Sequence, residues 1–86
     1  MSYSVRIKRE AQRKLQRLAL NDRTRITERI AMLGADPDDT ALDTKQLAGS
    51  RLWRLRVGRW RVLYDRQDNI RVLSIERIGP RGDVYK

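Results

Sequence analysis

The chain has 86 residues, a formal charge of +9 from 20 Lys+Arg against 11 Asp+Glu, and neither cysteine nor histidine. That length fits one domain spanning residues 1–86, and that charge calls for a polyanionic partner such as nucleic acid or an acidic protein. The missing residue types exclude disulfides, thiolate or imidazole metal sites and every Ser-His or Cys-His arrangement, leaving arginine, lysine, tyrosine, carboxylates and backbone to carry any chemistry.

The first residues alternate. Tyr3, Val5 and Ile7 are separated by Ser4 and Arg6, which predicts a short strand with one buried face. No run approaches the roughly 20 apolar residues of a bilayer span, so the expected location is the cytoplasm. From Arg9 to Leu20 the apolar positions Ala11, Leu15, Leu18 and Ala19 fall at helical spacing. Asn21-Asp22 offers an N-cap for a second helix with a stripe of Ile26, Ile30 and Leu33, Gly34 is placed to end it, and Asp36-Pro37 stops its resumption. Residues 35–50 read as an irregular acidic connection, in which Asp36, Asp38, Asp39 and Asp43 lack the spacing of a calcium loop.

The segment after it is the most specific. A two-residue type II′ turn at Gly58-Arg59 would pair Val57 with Trp60, Leu55 with Val62 and Trp53 with Tyr64 on one buried face. The opposite face then sets Arg56 against Arg61 and Arg54 against Leu63. A slip of one residue would drive arginines into the core, so the register is well specified. Trp53, Trp60 and Tyr64 are accordingly core residues rather than base-stacking ones. Like charges placed opposite each other destabilise a sheet, and a bound anion on that face would relieve them. A further strand runs from about Asn69 to Ile78 with apolar residues on both parities, as in a central strand covered on both sides. Residues 51–86 carry ten cations against four anions, nine of the ten being arginine, while residues 1–50 carry ten against seven. Arginine is the residue that grips phosphate bidentately, so the later block is the expected binding surface.

The run Trp53-Arg54-Leu55-Arg56-Val57-Gly58-Arg59-Trp60-Arg61-Val62-Leu63-Tyr64 resembles the central hairpin of the RelE/ParE toxin superfamily. The ending Gly79-Pro80-Arg81-Gly82-Asp83-Val84-Tyr85 resembles the Gly-x-Arg-x-Asp-Val-Tyr close of the same superfamily. The resemblance implies an α+β fold of order β-α-α-β-β-β, with a helical hairpin packed on a largely antiparallel sheet. It implies the toxin of a type II toxin–antitoxin system, a metal-free and cofactor-free endoribonuclease that cuts messenger RNA in the ribosomal A site. The partners it implies are messenger RNA, an acidic cognate antitoxin, and operator DNA reached through that antitoxin.

By motif position, the resemblance gives catalytic roles to Arg61 on the phosphate, to Arg81 on the transition state and to Tyr85 in orienting the nucleotide or moving a proton. Arg54, Arg56 and Arg59 become RNA- and phosphate-binding residues. Arg54 and Arg56 stand where well-known members carry lysine. Arginine does not deprotonate in proteins, so the two are clamps rather than bases, and neither Glu76 nor Asp83 is selected as the base by spacing. That departure keeps open a ParE-like reading, in which the chain inhibits DNA gyrase without cutting RNA, and a third in which a catalytically inert basic face binds the antitoxin or an operator.

Overall fold

The computed structural model describes residues 2–81. Strand β1 (Ser4–Ile7) leads into helices α1 (Arg9–Arg17) and α2 (Leu20–Ala35), followed by β2 (Asp43–Gln46), β3 (Leu52–Val57), β4 (Trp60–Gln67) and β5 (Val72–Pro80). The five strands form one sheet in the order β1-β5-β4-β3-β2, antiparallel except where β1 runs parallel to β5. Both helices pack on one face of it. The α+β fold is the one expected. Among the described residues no helix is long and apolar enough to cross a membrane.

The hairpin β3–β4 has the predicted register at every position, Val57 against Trp60, Leu55 against Val62 and Trp53 against Tyr64. Gly58 adopts φ 58° while Arg59 stays at negative φ, the signature of a turn with glycine at its first central position. Leu55, Val62 and Tyr64 are completely enclosed and meet Ala11, Leu15, Ile26, Ile30 and Leu33 from the helices. Trp53 is half-buried and packs against the same cluster.

Three details depart from expectation. The break between the helices lies at Leu18-Ala19, both extended, so Asn21-Asp22 falls inside α2 rather than capping it. Gly34 does not end α2. It is buried in the last turn, where Tyr3 N–H donates to its carbonyl at 2.6 Å, and an added Cβ would stand 2.8 Å from Val5 Cγ2. The glycine is therefore a contact point between α2 and β1. Finally, the connection 35–50 contains β2, a polar edge strand that pairs Thr44 with Leu55 and Asp43 with Arg56. It carries little apolar alternation because one edge faces solvent, and its backbone pairing holds it.

Loop aspartates, expected to be solvated, also take structural partners. Asp38 forms a two-pronged pair with Arg66, whose Nη1 and Nη2 donate at 2.8 and 3.0 Å. Arg66 Nε donates to Asp68 at 2.6 Å, and the guanidinium lies near the rings of both Tyr3 and Trp53. The Arg66 hydrogen bonds hold the Asp38 carboxyl below its ordinary value of 3.8. A lowered folded-state value means that this stabilisation is present above the ordinary value and is lost as pH falls through the folded one. We expect Asp38→Asn to remove part of the wild-type loss of stability below pH 3.8. Parallel acid denaturation profiles for the two proteins would refute the linkage.

Candidate phosphate-binding face

The sheet face away from the helices is built from the positions that alternate with the core. Across it, pairing aligns Asp43, Arg56, Arg61 and Gly79 in one row, and Lys45, Arg54, Leu63 and Arg77 in the next. Arg54, Arg56 and Arg61 therefore share one side of the sheet, as expected. Gly79 brings no side chain to the row that Arg61 occupies.

Their immediate surroundings differ from expectation. Arg54 Nη2 donates to Asp43 Oδ1 at 3.0 Å, and Arg56 Nη1 lies 4.0 Å from Asp43 Oδ2. The fold supplies its own carboxylate beside two of the arginines, so the crowding of Arg56 and Arg61 does not by itself require an external anion. Arg61 folds toward the turn, where its Nη1 donates to the carbonyls of Gly58 and Trp60 at 3.0 and 3.1 Å. A guanidinium carries five N–H groups, so these bonds fix its position while leaving donors for a ligand.

Arg81 follows β5 directly and adopts φ 42°, a left-handed conformation that costs a non-glycine residue energy. Its N–H donates to the Arg59 carbonyl at 2.9 Å, which ties the closing segment to the hairpin turn. Arg59 itself does not join the arginine face. Its guanidinium stacks 4.8 Å from the Trp60 ring centroid and approaches Asp22 of α2 at 3.9 Å. A turn residue with nearby aromatic and acidic neighbours follows those contacts rather than the parity of the strands. Tyr85 lies outside the described residues.

Among the described residues, proton-transfer groups near these arginines are scarce. Burial pushes the Tyr64 hydroxyl up to about 12, and the residue belongs to the core. Glu76 accepts from Ser74 at 2.8 Å and pairs with Lys8 at 2.8 Å, away from Arg54 and Arg56. Asp43 is the carboxylate in contact with both, and sequence reading placed it in a solvated loop. The run Asp43-Thr44-Lys45-Gln46 is wholly polar and offers no alternation by which the strand could have been found. Among the described residues no cluster of carboxylates has the form of a metal site.

The profile of the family described as the ParE toxin of the type II toxin–antitoxin system parDE matches residues 5–85. The chain belongs to the RelE/ParE superfamily of toxins. Among solved structures, the archaeal RelE–RelB complex from Pyrococcus horikoshii contains a chain 30% identical to this one, with a TM-score of 0.82 over 96% of this toxin and 99% of that chain. A chain of the RelBE2 toxin–antitoxin complex from Mycobacterium tuberculosis is 24% identical, with a TM-score of 0.75 over 94% of this toxin and 100% of that chain. The isolated Escherichia coli RelE toxin shares the fold at 18% identity, with a TM-score of 0.77 over 98% of this toxin and 92% of that chain. A search of curated sequences finds no match. The protein is the toxin of a type II toxin–antitoxin system.

Asp43 gives the face a direct test. Neutralising it removes the anion shared by Arg54 and Arg56 and leaves the arginine surface more positive. We expect Asp43→Asn to elute from heparin at higher salt than wild type, with a small loss of stability of about 0.5 kcal/mol from the exposed pairs. Earlier or equal elution would show that Asp43 does not compete with external anions.

Proposed function

We propose that this toxin is an endoribonuclease that cuts messenger RNA in the ribosomal A site and is neutralised by an acidic antitoxin. The observation that carries the reading is the placement of Arg54, Arg56 and Arg61 on one sheet face, with Arg81 tied to the adjoining turn. In this reaction the 2′-oxygen attacks the neighbouring phosphorus and the bond to the 5′-oxygen breaks. A 2′,3′-cyclic phosphate and a free 5′-hydroxyl result. The phosphorane formed on the way carries more negative charge than the ground state, so prepositioned guanidiniums stabilise it selectively. Arg61, anchored by two carbonyls, suits that task, and Arg81, whose backbone N–H is held by the Arg59 carbonyl of the turn, is assigned to the transition state by its motif position. Arg54 and Arg56 hold the flanking phosphate, exchanging Asp43 for substrate oxygens. By its motif position Tyr85 orients or stacks on the nucleotide, or moves a proton. No cofactor enters the scheme.

The antitoxin follows from similar reasoning. RelB accompanies the toxin in the Pyrococcus horikoshii complex. An acidic segment that folds on binding would complement the charge of +9 and cover the same arginines, and the antitoxin would carry the complex to operator DNA.

The match to the ParE profile favours a second reading, inhibition of DNA gyrase without cleavage of RNA. Programmed ribosomes separate the two. We expect wild-type toxin to produce message ends in the A site, and Arg61→Ala or Arg81→Ala to slow cleavage by about 10²–10³-fold each. Uncut message, together with trapped gyrase–DNA cleavage complexes, would replace the nuclease reading with the second one.

A further inference from the structure

The carboxylates of this toxin are unevenly distributed among its cations. Arg51, Arg54, Arg56, Arg59 and Arg66, in the arginine-rich later part of the chain, each lie within 4.0 Å of a carboxylate oxygen. On α1 the reverse holds. Arg9, Arg13, Lys14 and Arg17 make no side-chain hydrogen bond or ion pair within the described residues.

Arg9, Arg13 and Arg17 recur every four residues, so they stack along one side of the helix at steps of about 6 Å. Like charges at that spacing weaken a helix, and Arg9 in the first turn opposes the helix dipole. Glu10 is the only acidic residue of α1 and does not bridge to Lys14. The helix thus tolerates a row of uncompensated charge.

These four cations and Arg77, with Glu10 as the single acidic residue among them, line an open groove of about 850 Å³ between α1 and the last residues of β5. The groove exists because β1 pairs only with Val72–Ile75, so that among the described residues no strand flanks the rest of β5 on the side where α1 lies. A register shift between Leu63 and Tyr64 breaks the β4–β5 ladder at Glu76, and Pro80 lacks an N–H, so this edge is poorly equipped to take a peptide as a further strand. Arg77 belongs both to the groove and to the Lys45-Arg54-Leu63-Arg77 row of the candidate face. The groove therefore adjoins that face across β5.

We infer that the α1 groove binds the phosphodiester backbone of RNA beyond the nucleotides held on the sheet face. This rests on the reading of the toxin as RNA-directed. The groove lengthens the bound strand and sets affinity and its salt dependence, while the cleaved phosphate stays with Arg61 and Arg81.

The test uses full-length toxin with two fluorescent RNA probes, an unstructured strand of about 20 nucleotides and a trinucleotide that the sheet face alone can hold. We expect the triple variant Arg13→Gln, Lys14→Gln, Arg17→Gln to bind the long strand at least tenfold more weakly. Its slope of log affinity against log salt should fall by about 2, the value for three lost contacts on a single strand. Trinucleotide affinity should stay as in wild type, and the triple lysine-and-arginine exchange Arg13→Lys, Lys14→Arg, Arg17→Lys should restore long-strand binding. Thermal melting verifies that each variant is folded. Unchanged long-strand affinity and slope would overturn the inference, as would loss of acidic-peptide binding with RNA binding intact. Binding is read without cleavage, so an inert Arg61→Ala substitution would sink the nuclease reading and leave the groove standing.

Discussion

Arg56 faces Arg61 across the centre of the sheet, and the fold has to accommodate that repulsion. The register admits no easier arrangement, because a shift of one residue would exchange the arginines with Leu55, Val57, Trp60 and Val62 in the core. Three local devices contain the charge. Asp43 enters from the edge strand between Arg54 and Arg56, Arg61 turns its Nη1 onto two backbone carbonyls, and Gly79 leaves the next position in the row without a side chain. Each also suits the proposed phosphate site: a carboxylate that substrate oxygens would replace, an oriented guanidinium and an open position beside it.

Asp43 reaches that place through contacts elsewhere. Arg66, almost withdrawn from solvent between Tyr3 and Trp53, pins Asp38 and so fixes the start of the connection that delivers β2. Asp39 contributes by accepting from the Ala41 N–H at 2.9 Å, which turns the chain toward Leu42, a buried member of the core. Asp36 accepts from the Asp38 N–H in the same manner at 3.0 Å. A sequence of aspartates that looks like a solvated loop is thus a series of local turns and one anchored ion pair.

What could be read from sequence follows from where the hydrophobic effect acts alone. The hairpin register is legible because its two parities differ completely, apolar on one and arginine on the other. The stripe of α2 is legible for the same reason, and that of α1 in part: Ala11 and Leu15 are buried, whereas the helix ends at Arg17 and Ala19 is exposed. The strand Asp43–Gln46 is not, since it is held by backbone pairing at a solvated edge and shows no apolar alternation. Gly34 is misleading because a glycine near a helix end suits a C-cap, whereas here its missing Cβ admits Val5. Arg59 shows the limit of parity at a turn, where Trp60 and Asp22 decide its direction.

Charge is the least legible property of all. Counting by halves assigns the binding surface to residues 51–86, with their net charge of +6 against +3 before them. The folded chain inverts part of that ranking, because Asp22, Asp38 and Asp43 from the earlier half fold back onto Arg59, Arg66 and Arg54 in the later one. Three carboxylates that lower the net charge of the first half in the sequence neutralise arginines of the second half in space. Among the cations they leave without a carboxylate partner are Arg9, Arg13, Lys14 and Arg17 of α1, which face solvent together along one helix. A polyanion is attracted by uncompensated charge rather than by the number of arginines in a segment. The partition of carboxylates therefore divides the cations: guanidiniums on the sheet are held in place by internal partners, as the proposed phosphate site requires, and those on α1 present their charge to solvent, as the proposed RNA groove requires.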